Sequence, residues 1–221
     1  DLKKYQPPQV TRILARDGTL LGEDFVERRT VVELNAIPAH VKLAFLAAED
    51  ASFYEHEGLD YPGMLRAIWK NLRAQSSRQG ASTITQQVVK NVLLTQDRTY
   101  ERKIKEVILA RRIEAELSKD EILELYLNHI YFGHGRYGVE EAARYYFGRG
   151  VHDLTLGEAA ILASIPKGPS IYEPRAHLEN ALSRRVYVLD QMVDKNFAKQ
   201  EIAEEAKNAP VVLAPEPEHT A

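Results

Sequence analysis

"ERKIKEVILARRIEAELSKDEILELY", residues 101–126, decides the fold class. Glu106, Ala110, Ile113 and Leu117 fall at i, i+4, i+7 and i+11, one stripe of a 3.6-residue period, so the spacing predicts a helix over Tyr100–Leu117. Ser118 can cap a following helix, with Glu121 three residues on, and that helix carries Ile122, Leu125 and Tyr126. The stripe is mixed: a carboxylate lies on it and Lys103 and Val107 border it. An Arg102–Glu106 surface pair at i,i+4 would be worth only ~0.3–0.5 kcal/mol and would leave the apolar stripe exposed. We read Lys103 and Glu106 instead as lining a cleft, where charge is retained for function.

Most of the chain repeats this helical pattern. Pro38 to Asp50 starts with proline in its first turn, and Val41, Ala44, Phe45 and Ala48 share a face. Further helices are predicted near Pro62–Arg73 and Thr83–Leu94, and then over Val139–Phe147, Leu156–Ser164 and His177–Val193. "RILARDGTLLGE", residues 12–23, reads as a hairpin turning on Asp17-Gly18. "GHGRYG", residues 133–138, is a glycine-rich loop, and "NAPVVLAPEPEHTA" at the end reads as an extended linker. The class is mainly α with a short N-terminal β-hairpin and no internal repeat.

The 221 residues, 44% hydrophobic, suffice for one good-sized core, or one core with a smaller lobe. The absence of cysteine excludes disulfides and thiolate metal sites. No apolar run approaches the ~20 residues of a membrane span, and the start lacks a signal-peptide core, as in a soluble protein or a cut-out ectodomain. A net charge of −3 implies no polyanionic partner such as nucleic acid. It hides an asymmetry, however: Pro62 to Arg112 holds eleven Lys/Arg against three acids, a local +8, which leaves −11 for the remainder. Such a belt is either a solvated face or the complement of a local anion, a phosphate or a lipid surface.

The belt contains "RQGASTITQQVVKNVLL", residues 78–94. Thr83 and Gln86 have capping-box spacing, which explains some of the polar residues. Gln87 and Lys90, one turn apart, are left over. With Ser82 and Thr83 they suggest an anion-binding helix start. "LAFLAAEDASFYEHEG", residues 43–58, puts Glu49-Asp50 at the end of an apolar helix. Apolar neighbours and a helix C-terminus both disfavour negative charge, which would raise the pKa of Glu49 and suit it to acid–base work. An ordinary acidic loop is the plainer alternative. "PGMLRAIWKNLR", residues 62–73, is a basic amphipathic helix with Leu65, Ile68, Trp69 and Leu72 on one face and Met64 beside it. It either faces the core or rests in a lipid interface with tryptophan at headgroup depth, and Arg and Lys beside Trp69 favour the interface. No histidine pair has metal-ligand spacing, so no protein-built metal site is assigned. Ser164-Ile-Pro-Lys167 fits S-x-x-K but lacks the partner motifs of acyl-serine enzymes.

Together these blocks resemble the peptidoglycan glycosyltransferase family, glycosyltransferase family 51, the glycan-polymerising module of class A penicillin-binding proteins. The resemblance covers roughly residues 10 to 195. "EDASFYEHEG" matches E-D-x-x-F-x-x-H-x-G at Glu49, Asp50, Phe53, His56 and Gly58. "GASTITQQ" matches G-x-S-T-I-T-Q-Q, and "RKIKE" matches R-K-x-x-E at Arg102, Lys103 and Glu106. "ILELYLNHIYFGHGRYGVEEAARYYFG" and "LTLGEAAILASIPKGPSIYEP" are similar to the last two blocks, and no charged motif position departs from the pattern.

The resemblance implies a lysozyme-like large lobe and a smaller membrane-facing lobe, about residues 60–100, within a glycosyltransferase domain of residues 1–195. It implies lipid II and the growing glycan strand as substrates, and the extracytoplasmic (periplasmic) face of the bacterial inner membrane as the location. By analogy Glu49 is the general base, and Glu106 either orients Lys103 or assists the donor site. Asp50, Phe53, His56, Ser82, Thr83, Gln87, Lys90, Arg98, Arg102 and Lys103 are the candidates for holding substrate. Met64, Leu65, Ile68, Trp69 and Leu72 are the candidates for membrane contact. No cofactor is required; a divalent cation, Mg2+ or Mn2+, could bridge the pyrophosphate. The family's transpeptidase domain and N-terminal anchor are not in this sequence, which suggests an excised or trimmed domain whose residues 196–221 lead toward the partner domain. The competing readings are a lysozyme-like glycan hydrolase, for which a belt of cations has no use, and a non-catalytic cell-wall or membrane-binding module.

Overall fold

The computed structural model describes residues 11–14, 20–24, 28–63, 65, 69, 82–93 and 100–216. The protein is mainly helical, and its described residues fall into two compact units: Asp1–Ala48 with Leu127–Ala221, and Glu49–Tyr126. Among the described residues no helix is long and apolar enough to cross a membrane.

The first unit begins with β1 (Thr11–Leu14), which pairs antiparallel with β2 (Leu20–Asp24). The predicted Asp17-Gly18 turn between them lies outside the described residues. A two-residue β3 (Arg28–Arg29) runs parallel to β4 (Arg136–Tyr137), at the glycine-rich loop. Asn128 secures the irregular segment that follows: its side chain accepts from Val32 N–H and donates to Val32 C=O, both at 2.9 Å, imitating a strand neighbour.

Helix α1 (Ala39–Glu49) starts just after Pro38 and buries Val41, Ala44, Phe45, Leu46 and Ala47. Phe45 meets Phe132 edge-on at 5.9 Å; each such fully buried aromatic contributes ~1.5–3 kcal/mol of transfer free energy. The helices α2 (Ile84–Val88), α3 (Tyr100–Glu116) and most of α4 (Lys119–His129) belong to the second unit. Back in the first unit, α5 (Val139–Phe147) begins at Gly138. Glycine is required there: φ is +84°, and a Cβ would stand 2.9 Å from the Asn128 carbonyl oxygen.

Helix α6 (Leu156–Ser164) is the centre of this unit, buried from Gly157 to Ser164. Its length of nine residues and run of small side chains let α8 (Leu178–Asp194) and α9 (Gln200–Asn208) pack against it. The short α7 (Pro169–Tyr172) precedes α8. Ser164 is fully buried and its hydroxyl donates to Ala160 C=O at 2.7 Å, a helix back-bond rather than a nucleophile. The reading from sequence missed α9. Its pattern is short: its buried residues are alanines, Ala203 and Ala206, and its one large apolar residue, Ile202, is exposed. Arg185 ties it down by donating to the carbonyls of Lys207 and Ala209. Residues 210–216 carry no helix or strand and are anchored where Ala214 N–H donates to Tyr146 C=O at 2.8 Å.

Thr155 caps α6 in a full capping box with Glu158. Thr155→Ala is expected to lower unfolding stability by about 1 kcal/mol without changing activity, as read by urea denaturation and assay. An unchanged denaturation midpoint would mean the box contributes nothing.

Candidate active site

The second unit carries the charged and amide side chains singled out above. Glu49, the last residue of α1, is half-buried, and its Oε2 accepts from Gln87 Nε2 at 2.8 Å. The pair spans 38 positions of sequence, and neither motif announces the other. Gln87 sits on α2, whose start is built by its own residues. Thr83 is the N-cap and makes a complete capping box with Gln86, and the Thr83 hydroxyl donates to Gly58 C=O at 2.7 Å. Gly58 has φ +82°, and a Cβ there would press on the Ala110 carbonyl at 3.2 Å, so the loop lies tight against α3.

Several residues expected to contact substrate are turned inward. Asp50 is buried; both its oxygens lie 3.0–3.1 Å from His56 Nε2, and Oδ2 also accepts Ile84 N–H at 3.0 Å. A carboxylate at the first turn of α2 satisfies an orphan N–H and the helix dipole. Phe53 is fully buried, edge-on to His56 at 6.2 Å. Thr83 is 2% exposed with its hydroxyl engaged. Asp50, Phe53, His56 and Thr83 are thus held by packing and hydrogen bonds within this unit.

Lys103 meets the start of the same short segment. Lys103 is half-exposed, forms an ion pair with Glu106, and its Nζ is 3.4 Å from Ser82 Oγ. Glu106 is 3% exposed, on the inward stripe with Ala110, Ile113 and Leu117. Buried Glu106 thus pairs with Lys103, at i,i+3. Arg102 is half-buried on α3. Lys90 is exposed and lies in a π turn, Val89–Leu93, that replaces the predicted continuation of the helix to Leu94. The wider turn alters the Gln87–Lys90 spacing assumed from an α-helix, and such turns recur at functional sites. Arg98 lies outside the described residues.

Segment 82–87 therefore touches both clusters: Gln87 holds the carboxylate of Glu49, and Ser82 meets the ammonium of Lys103. Ser82 and Gln87 stand five positions apart, about 7.5 Å at ~1.5 Å per helical residue. A third buried group went unnoticed in the sequence. Tyr126 is 1% exposed; burial first, and then the charges of Glu49 and Asp50, hold its phenol protonated well above the ordinary tyrosine range. It is a neutral wall beside two carboxylates. Its place in the apolar pattern of α4 was its only signal. Among the described residues no three His, Asp or Glu side chains form a group able to hold a metal ion.

Of the residues expected at a membrane, Leu65 and Trp69 are 69% and 57% exposed, and Met64, Ile68 and Leu72 lie outside the described residues. Tyr61, Leu65 and Trp69 are helical and spaced four apart. Tyr61 accepts from Arg111 at 3.3 Å, and α3 exposes Ile104 and Ile108 one turn apart. The sequence pattern did not mark these two isoleucines as outward.

A family model described as Transglycosylase matches residues 17–193. The chain is 45% identical over 215 residues to Penicillin-binding protein 1A of Rickettsia bellii, covering 96% of this chain and 27% of that protein. It is 46% identical to Penicillin-binding protein 1A of Aquifex aeolicus (97% of this chain, 30% of that one). Against Penicillin-binding protein 1A of Escherichia coli it is 48% identical over 190 residues (86% and 22%). Among solved structures, Penicillin-binding protein 1A from Haemophilus influenzae superposes with a TM-score of 0.55 at 29% identity, covering 96% of this chain and 22% of that one. The chain spans less than a third of the length of each of these relatives.

Proposed function

The chain belongs to the transglycosylase family, and from that premise we propose that it is a peptidoglycan glycosyltransferase that polymerises lipid II into β-1,4-linked glycan. Glu49 takes the proton from the 4-hydroxyl of the acceptor sugar. That oxygen attacks the anomeric carbon of the donor, the bond to the lipid diphosphate breaks with inversion, and undecaprenyl pyrophosphate leaves. The observation that carries this reading is segment 82–87, which meets a carboxylate at Gln87 and an ammonium at Ser82. A base and a fixed cation on one short element suit a reaction that removes a proton at one end and releases a diphosphate at the other. Lys103, oriented by buried Glu106, meets the developing charge, with Lys90, Arg98 and Arg102 as further candidates. Gln87 orients Glu49. In this reading Asp50, His56 and Thr83 act by positioning α2.

The lysozyme-like large lobe, the membrane-facing smaller lobe, and the periplasmic face of the inner membrane belong to the same proposal, as does a transpeptidase domain beyond the C-terminal stretch. Incubation with lipid II should yield polymer and free lipid pyrophosphate. Shortening of preformed glycan without synthesis would favour a hydrolase, and neither reaction would favour a binding module.

Exposed Leu65 and Trp69, with exposed Ile104 and Ile108 on α3, support docking on a bilayer. Leu65→Glu with Trp69→Glu should weaken partition onto anionic lipid vesicles by about tenfold or more, as measured by co-sedimentation. Unchanged partition would remove this face from the membrane.

A further inference from the structure

Three linked side chains of the second unit, one buried and two partly buried, have no part in the chemistry above. Thr85 is fully buried and its hydroxyl donates to Glu114 Oε1 at 2.5 Å. The same oxygen accepts the Lys119 ammonium at 2.7 Å. The Glu114 and Lys119 side chains are only 8% and 20% exposed, and Lys119 lies over the Phe53 ring at 4.4 Å. Phe53 follows Asp50 by three residues, and Asp50 caps α2 at Ile84. These links close a ring: Asp50 to Ile84, Thr85 to Glu114, Glu114 to Lys119, Lys119 to Phe53.

Helix α2 has five α-helical residues before the π turn Val89–Leu93 takes over, and a helical run this short depends on tertiary contacts for its orientation. Asp50 fixes its N-terminal end but not its rotation. Thr85 and Gln87, two residues apart, point to roughly opposite sides at about 100° per residue. The Thr85 bond therefore pins the face opposite the one from which Gln87 reaches Glu49. We propose that Thr85 and Glu114, braced by Lys119, are positioning residues that set the rotation of α2 and so hold the Gln87 amide on Glu49. The inference rests on the reading of Glu49 as the base.

The test compares Thr85→Val, which keeps shape and strips the hydroxyl, with Thr85→Ser, which keeps the hydroxyl. Both are assayed for lipid II polymerisation well below their own melting temperatures. Thr85→Val should lower kcat by about tenfold or more with KM within about twofold, and Thr85→Ser should restore kcat to within about threefold of the parent. Thr85→Ala, which asks the pocket to accept no new methyl group, should lose as much as Thr85→Val and replaces it should that variant not fold. Parental kcat without the hydroxyl, or equal loss in Thr85→Ser, would overturn the proposal. Full turnover by Glu49→Gln would overturn it together with the reading beneath it, whereas an inactive Glu49→Gln beside a fully active Thr85→Val would overturn the bracket alone.

Discussion

Glu49→Gln is expected to lower kcat for lipid II polymerisation by about a thousandfold, within the 10²–10⁴ range typical of a lost general base. The substitution is isosteric, and an amide oxygen at this position can still accept the Gln87 hydrogen bond seen at 2.8 Å. The geometry around the site should therefore survive, since Asp50, His56 and the α2 cap form their contacts without Glu49. What disappears is the capacity to take a proton. Steady-state release of lipid pyrophosphate measures the loss, and thermal denaturation separates it from unfolding. Turnover close to the parent's would mean that another group removes the proton.

The second large effect concerns Lys103 and Glu106. Lys103→Met should lower kcat/KM by about 10²–10³, the scale of removing one preorganised charge partner from a developing anion. Glu106→Gln should also be costly, because the buried carboxylate is what directs the Lys103 side chain. The informative variant is the double one. If the two residues act as a unit, the pair of substitutions should cost about as much as the worse single one, far from the product of the two. Multiplicative losses would show that Glu106 has a duty separate from orienting Lys103.

Local periodicity made much of this structure legible. The stripe of Glu106, Ala110, Ile113 and Leu117 is buried as its spacing demands. The capping box of Thr83 with Gln86 forms, and so does that of Ser118 with Glu121. Such features depend on residues three or four apart, and the sequence displays them directly.

The parts that could not be read are contacts across tens of residues. Nothing near Asp50 says that it caps Ile84, 34 positions on, and so faces inward. Nothing near Gln87 says that its amide serves Glu49. The exposed Ile104 and Ile108 are likewise set by what α3 packs against, since a helix so rich in apolar and long charged residues offers more than one face. The π turn at Val89–Leu93 shifts Lys90 from the position an α-helix would give. Motif resemblance located these residues as a group. Packing then separates the inward-held Asp50, Phe53, His56 and Thr83 from the residues proposed for the chemistry itself.

That division of labour is open to a single measurement: lipid II binding and turnover, determined side by side on vesicles for Glu49→Gln and Lys103→Met. The account predicts that Glu49→Gln binds lipid II as tightly as the parent without polymerising it, whereas Lys103→Met loses affinity along with turnover. A Glu49→Gln variant that fails to bind, or a Lys103→Met variant with parental affinity and rate, would contradict it.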